Sequence, residues 1–145
     1  VNNVNKKSVF EFDKSQRLLA SADFKPVFDT PSFKVHQPNI LFFVKMQEQN
    51  PTKPCRLGLA ITKKKLKRAN QRNRLKRLVR EYFRLNQADF VAKNMCFDVV
   101  LIVKISTQDL PNEVLNTQIQ AGFQQIIHKA QRFSSVQSTD ETSIG

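Results

Sequence analysis

The chain has no tryptophan, one tyrosine, three glycines and two cysteines in 145 residues. Each scarcity excludes something. Gly58, Gly122 and Gly145 are far apart, so there is no glycine-rich loop to cradle a nucleotide's phosphates. Cys55 and Cys96 make no disulfide framework, and neither has a Cys or His nearby at metal-ligand spacing. They read as buried or half-buried thiols of a reducing compartment. No apolar run approaches the ~20 residues of a membrane span, and the opening VNNVNKKSVF lacks the apolar stretch of a secretion signal. A cytoplasmic location is expected. His36 and His128 stand apart in no nucleophile or metal motif, and Asp98 reads as a local hydrogen-bonding group at a strand start. With no carboxylate cluster for two-metal hydrolysis, neither a catalytic residue nor a metal ligand is expected in this chain.

Acidic residues are scarce in one place above all. Lys63 to Arg84, KKKLKRANQRNRLKRLVREYFR, holds eleven Lys or Arg and one acid, Glu81, a local net of +10. The remainder holds 13 basic and 11 acidic residues, a net of +2. Ordinary solvated helices alternate their charges. A block of one sign is suited to a polyanion, because each cation that neutralises a phosphate releases condensed counterions. An anionic membrane surface would also attract it, but would need an apolar stripe with no other use.

Periodicity supplies the frame. Residues 1–11 read as a polar arm. A short helix is expected from Ser21 or Ala22, with Asp23 in its first turn, Pro26 tolerated near its start and Pro31 ending it. Residues 40–47 read as a strand, with a short extended piece at 34–36 beside it, and Pro51 and Pro54 mark a turn. Residues 56–62 alternate, Leu57, Leu59 and Ile61 against Arg56, Gly58, Ala60 and Thr62. From Ala69 the pattern is helical, with an apolar stripe of Leu75, Leu78, Val79, Tyr82 and Leu85 that packs on a sheet. Arg72, Lys76, Arg80 and Phe83 flank it on one side, and Glu81 pairs with Arg77 or Arg84. The apolar run FDVVLIVK at 97–104 predicts a central strand covered on both faces. A last helix, capped by Asp109 or Asn112, is expected over 113–132 with Val114, Leu115, Ile119, Phe123, Ile126 and Ile127 inward. The polar residues 134–145 read as a disordered tail. The sum is one α+β domain over 12–133, with helices packed on a mixed sheet.

The order of residues in the basic segment carries more. Leu66, Ala69, Arg72-Asn73-Arg74, Leu75, Lys76-Arg77, Val79 and Arg80 follow a strand reading R-x-G-x-x-x-T-K-K from Arg56 to Lys64. Together with the FDVVLIVK run, Phe12, the RLL at 17–19, Phe24 and Phe28, this pattern resembles the protein subunit of bacterial ribonuclease P over residues 12–132. The resemblance implies an α-β sandwich in the order α-β-β-β-α-β-α, with a roughly four-stranded sheet, three helices and a left-handed β-α-β crossover. It implies a non-catalytic subunit of a ribonucleoprotein endonuclease, in which a catalytic RNA with bound magnesium removes the 5′ leader of precursor tRNA. One protein per RNA is expected, with no membrane partner.

Carried over residue by residue, the RNA-facing positions would be Lys63, Lys64, Lys67, Arg68, Arg72, Asn73, Arg74, Lys76, Arg77 and Arg80, working as phosphate contacts. Arg74 and Arg77 would make two-pronged contacts, and Asn73 would either face RNA or bond within the protein. The leader would lie in a cleft lined by Phe24, Phe28 and Phe43, less surely by Phe42, with Lys25 and Arg56 on its phosphates. The same aromatics have a second reading, as packing between helix and sheet. Relatives often carry a glycine between the lysine pair and the helix, where this chain has Lys65-Leu66-Lys67. Two other classes stay open at this point: a general RNA- or ribosome-binding module, and a metal-dependent nuclease acting alone.

Overall fold

The computed structural model describes residues 17–18, 21–47, 55–93, 95–104, 107 and 109–144, with side chains to Arg132. The arm expected over 1–11, Phe12, Leu19 and the turn around Pro51 and Pro54 lie outside the described residues. The elements follow in the order α1 (Ser21–Asp29), β1 (Phe33–His36), β2 (Ile40–Met46), β3 (Arg56–Ala60), α2 (Ala69–Ala92), β4 (Phe97–Val103) and α3 (Asn112–Ile144). The sheet order is β1-β2-β4-β3. β2 runs antiparallel to both β1 and β4, whereas β3 and β4 are parallel, with Arg56 opposite Asp98 and Ala60 opposite Ile102. Parallel neighbours cannot be joined by a hairpin, so α2 is the connection between them.

Alternation along the strands divides the core. Phe97, Val99, Leu101 and Val103 of β4 share one face with Ile40, Phe42 and Val44 of β2, and α2 and α3 cover that face. Five phenylalanines there, Phe42, Phe83, Phe90, Phe97 and Phe123, are fully buried. Phe42 meets Phe123 edge-on at 5.5 Å between ring centroids. Gly122 makes that approach possible, because a Cβ there would press into the Phe42 ring, 3.1 Å from Cδ1 and nearer still to its tip. On the other face α1 lies over a smaller cluster of Leu18, Val27 and Val100, flanked by Phe24, Phe28, Phe43, Ala60 and Ile102. β4 is thus covered on both faces, as its unbroken apolar run predicts.

Two helices depart from the sequence expectation. The buried line of α2 is Leu75, Val79, Phe83, Gln87 and Phe90. Phe83, expected on the flank, is in the core, and Leu85, expected inward, is 48% exposed. Steps of four residues keep the larger rings under the sheet as the helix turns, while Leu78 and Tyr82 lie half-buried beside them. In α3, Val114 is exposed while Leu115, Ile119, Phe123 and Ile126 are buried. Expected to stop near 132, α3 continues along the backbone to Ile144, through the stretch expected to be a disordered tail. Residues 133–144 contain no proline or glycine to break a helix.

Candidate nucleic-acid interface

The basic segment begins in a tight turn. The backbone N–H groups of Lys65 and Leu66 both reach the carbonyl of Thr62, at 3.2 and 3.0 Å. Leu66 then plugs into the core with no exposed surface, which leaves Lys63, Lys64, Lys67 and Arg68 pointing to solvent. Leu66 thereby anchors the loop at the place where the sequence reading expects a glycine in relatives. α2 starts at Arg68 without a side-chain cap and with no acid in its first turn. Helices usually begin with a capping oxygen or a carboxylate, which satisfies orphan N–H groups and the positive end of the dipole.

Because the helix turns about 100° per residue, its cations divide between two flanks. Lys76 and Arg80 fall toward β3 and α1, where they share a pocket with Leu57, Leu59 and Phe24, and Asn73 and Arg77 neighbour them at helical spacing. Asn73, Arg77 and Arg80 are exposed and Lys76 is half-buried. Among the described residues the ion pair of this segment is Glu81 with Arg84, 2.6 Å apart. That contact lowers the Glu81 pKa and raises that of Arg84, chiefly through their hydrogen bond. On the other flank Tyr82 stacks on Phe123 of α3 at 5.1 Å.

The two outer arginines of Arg72-Asn73-Arg74 turn inward rather than out. Arg72 Nη1 donates to the carbonyls of Leu66 and Lys67, each at 2.8 Å. Arg74 Nη1 donates to the Leu110 carbonyl at 2.6 Å and to Asn112 Oδ1 at 2.9 Å, and its Nη2 donates to the Thr107 carbonyl at 3.2 Å. The fork expected to grip a phosphate is therefore occupied by the protein's own carbonyls.

On the α1 face of the sheet the aromatic row is assembled as expected. Phe24 packs on β3 over Gly58, where a Cβ would meet Phe24 Cδ1 at 2.9 Å and Cε1 nearer still. Phe24 and Phe28 are 6.4 Å apart, and Phe28 meets Phe43 of β2 edge-on at 5.0 Å. Lys34 of β1, directly across the strand pair from Phe43, holds its ammonium 5.1 Å from that ring. All three rings are half-buried, so each keeps an accessible edge or face. Phe42 points the other way into the core and is no candidate for this face.

The cations expected beside that row have other duties. Arg56 makes a two-pronged pair with the buried Asp98, Nε to Oδ1 at 2.9 Å and Nη2 to Oδ2 at 2.6 Å, and Gln47 Nε2 adds a third donor at 2.9 Å. Hydrogen bonding to Asp98 raises the Arg56 pKa, so its charge is permanent. Lys25 pairs with Asp29 one turn along α1, at 2.9 Å on an exposed surface. Lys45 is tied to Thr30, at 3.0 Å to the carbonyl and 2.8 Å to the hydroxyl.

The cationic flank and the aromatic row meet at the outer edge of β3. There Arg17, Leu18, Phe24, Leu57, Leu59, Lys76 and Arg80 line a pocket of about 210 Å³. The segment before α1 reaches this edge through the Leu18 N–H, which bonds the Leu57 carbonyl at 3.0 Å. Sequence reasoning missed Arg17 and Lys34. Arg17 opens the RLL of the approach to α1, whose place beside β3 is not legible in sequence, and Lys34 becomes visible as a partner of Phe43 only once the β1–β2 register is known. His36 and His128 are both exposed, and Cys55 and Cys96 are buried free thiols. Among the described residues no group of three or more His, Cys, Asp or Glu could hold a metal ion, and no helix is long and apolar enough to cross a membrane.

At the β3 edge of this α+β sandwich a cationic helix flank opens into a pocket walled by Phe24 of α1 and by Leu57 and Leu59 of β3, an arrangement suited to a polyanion. The ribonuclease P family model matches residues 12–137. The ribonuclease P protein component of Acinetobacter baylyi is 38% identical over 129 residues, covering 89% of this chain and 93% of the relative. That of a Psychrobacter species is 42% identical over 121 residues, covering 83% and 88%. The RNase P protein of Staphylococcus aureus has the same fold, with a TM-score of 0.66 at 20% identity over 79% of this chain and 96% of that one. The Thermotoga maritima RNase P protein gives 0.58 at 23% identity, over 72% and 92%. The chain belongs to the ribonuclease P protein family, the protein component of a ribonucleoprotein enzyme of tRNA processing.

Proposed function

We propose that this chain binds the catalytic RNA of ribonuclease P through the Lys63–Arg84 surface and holds the 5′ leader of precursor tRNA along the Phe24–Phe28–Phe43 row. The observation that carries the reading is the pocket at the β3 edge, where Lys76 and Arg80 share walls with Phe24. Lys63, Lys64, Lys67, Arg68, Asn73, Lys76, Arg77 and Arg80 are the phosphate-facing candidates. Arg17 and Lys34 join them at the two ends of the row. Stacking on phenylalanine faces is worth roughly 1–3 kcal/mol per base and tolerates any sequence, which suits an enzyme acting on many precursors.

In this reading the chemistry and the magnesium belong to the RNA, with one protein per RNA in the cytoplasm. The described residues offer magnesium no donor cluster, and the protein's part is to bind and orient. The test is cleavage of a precursor tRNA by the catalytic RNA at low magnesium, with and without the protein. Stimulation that depends on the leader supports the reading. Binding without stimulation would make the chain a general RNA-binding module, and cleavage by the protein alone would make it a nuclease.

A further inference from the structure

Resting on that docking reading, we propose that Arg74 is a positioning residue: it straps the start of α2 to the start of α3 and so holds the RNA-facing side chains in register, without itself contacting phosphate. The need for a strap is visible in the helix. Its first turn has neither a capping side chain nor an acid, and the stretch carries a net of +10. Arginine and lysine at a helix N-terminus oppose the dipole. This end would fray first if nothing outside the helix held it.

Arg74 supplies the hold. Its guanidinium satisfies two carbonyls and one side-chain oxygen across the 107–112 loop, at 2.6, 2.9 and 3.2 Å. One acceptor, Asn112, is the first residue of α3, and another belongs to the buried Thr107. Arg74 Nε is itself buried without a partner among the described residues. Both Nη1 protons and one on Nη2 are thus spent on the protein itself, on a side chain that is half-buried. Arg72 provides a matching strap on the other side, from Nη1 to Leu66 and Lys67. Between the two straps stands Asn73, exposed, followed by Lys76 and Arg77. A lysine at position 74 would keep the charge and lose the planar fork that spans three acceptors.

The experiment measures affinity of the whole chain for the catalytic RNA across a series of KCl concentrations, at a temperature where circular dichroism shows each variant folded. Arg74→Lys, Arg74→Gln and Asn112→Ala are compared with Arg77→Gln. Arg77→Gln is expected to lower the salt slope by about one ion. Both Arg74 variants are expected to bind roughly tenfold more weakly, the size of losing hydrogen bonds to a charged group, with the wild-type slope. Arg74→Lys should be as impaired as Arg74→Gln, Asn112→Ala should fall between them and wild type, and amide exchange at 69–73 should accelerate in all three. Arg74 is instead a phosphate contact if Arg74→Gln loses about one ion of slope and Arg74→Lys restores it. Wild-type affinity of all three folded variants would reduce the strap to fold maintenance and overturn the proposal. Should Arg74→Gln fail to fold, Arg74→Lys and Asn112→Ala decide. An unchanged slope for Arg77→Gln overturns the docking reading beneath the proposal, and is told apart because it appears in the control.

Discussion

Replacing Gly58 by alanine tests the aromatic row at its seat. The added methyl would lie 2.9 Å from Phe24 Cδ1, nearer still to Cε1, and 3.0 Å from Leu18 Cβ. Backbone and strand cannot yield, because Gly58 is paired in register with Val100 of the central strand. The ring can, since Phe24 is only half-buried. Overpacking in a closed core costs about 1–3 kcal/mol, and an escape route to solvent puts the expected stability loss near the low end, about 1 kcal/mol. Leader binding should suffer more. A displaced ring forfeits its stacking, roughly 1–3 kcal/mol per base, which is about a 5- to 150-fold loss of affinity. The assay compares binding of a long-leader precursor and a leaderless substrate to particles assembled with wild type, Gly58→Ala, Phe24→Ala and the double variant. The leaderless substrate should be indifferent. Because the severe part of the clash is with Phe24 and only the 3.0 Å contact with Leu18 Cβ outlasts that ring, the double variant should bind leader about as Phe24→Ala alone does. Full leader discrimination by Gly58→Ala, or additive losses in the double variant, would refute the argument.

Asp98→Asn removes the negative partner of Arg56 on a buried strand. Loss of one member of a buried pair costs 3–5 kcal/mol, and the half-exposed guanidinium brings this down to about 1–3 kcal/mol; urea denaturation of the free protein measures it, and an unchanged midpoint would contradict it. Burial pushes the Cys55 thiol up to about 12, so disulfide reagents at pH 8 should label it only as fast as the protein unfolds. A thiol raised in the folded state contributes stability that is whole below its unfolded value and is lost as pH climbs toward about 12. Labelling at the rate of free cysteine would mean that the site is open.

Much of this molecule is legible in order. The strand at 97–104 reads as central because nothing polar interrupts it after Asp98, and α1 is bounded by Ser21 and Pro31 as its residues suggest. What escapes the sequence is which way a side chain turns when its partner is remote. Arg74 looks like an outward contact because its neighbours are cations; its acceptors are 33 to 38 residues away. Arg56 looks free until Asp98, 42 residues on, comes alongside. The face of α2 was ambiguous for a different reason. Leu75 starts two overlapping apolar lines, one through Leu78 and Leu85 and one through Val79 and Phe83, and only the sheet and α3 decide that the larger rings go under. That the three rings are neighbours is legible because Phe24 and Phe28 lie one helical turn apart in α1 and Phe43 alternates with Phe42 on β2.

The Arg56–Asp98 pair has a consequence for how the chain reaches its final form. β4 is so uniformly apolar that sliding it against β3 by two residues would present almost the same surface. In such a misthreaded alignment the carboxylate would lose its guanidinium in a dry environment, and Phe24 would find a side chain where it needs a bare backbone. Both errors fall on the same pair of strands, at opposite ends of a 24-residue helical detour. The two strands therefore carry their own proofreading, and a nascent chain that pairs them out of step is driven to come apart and try again.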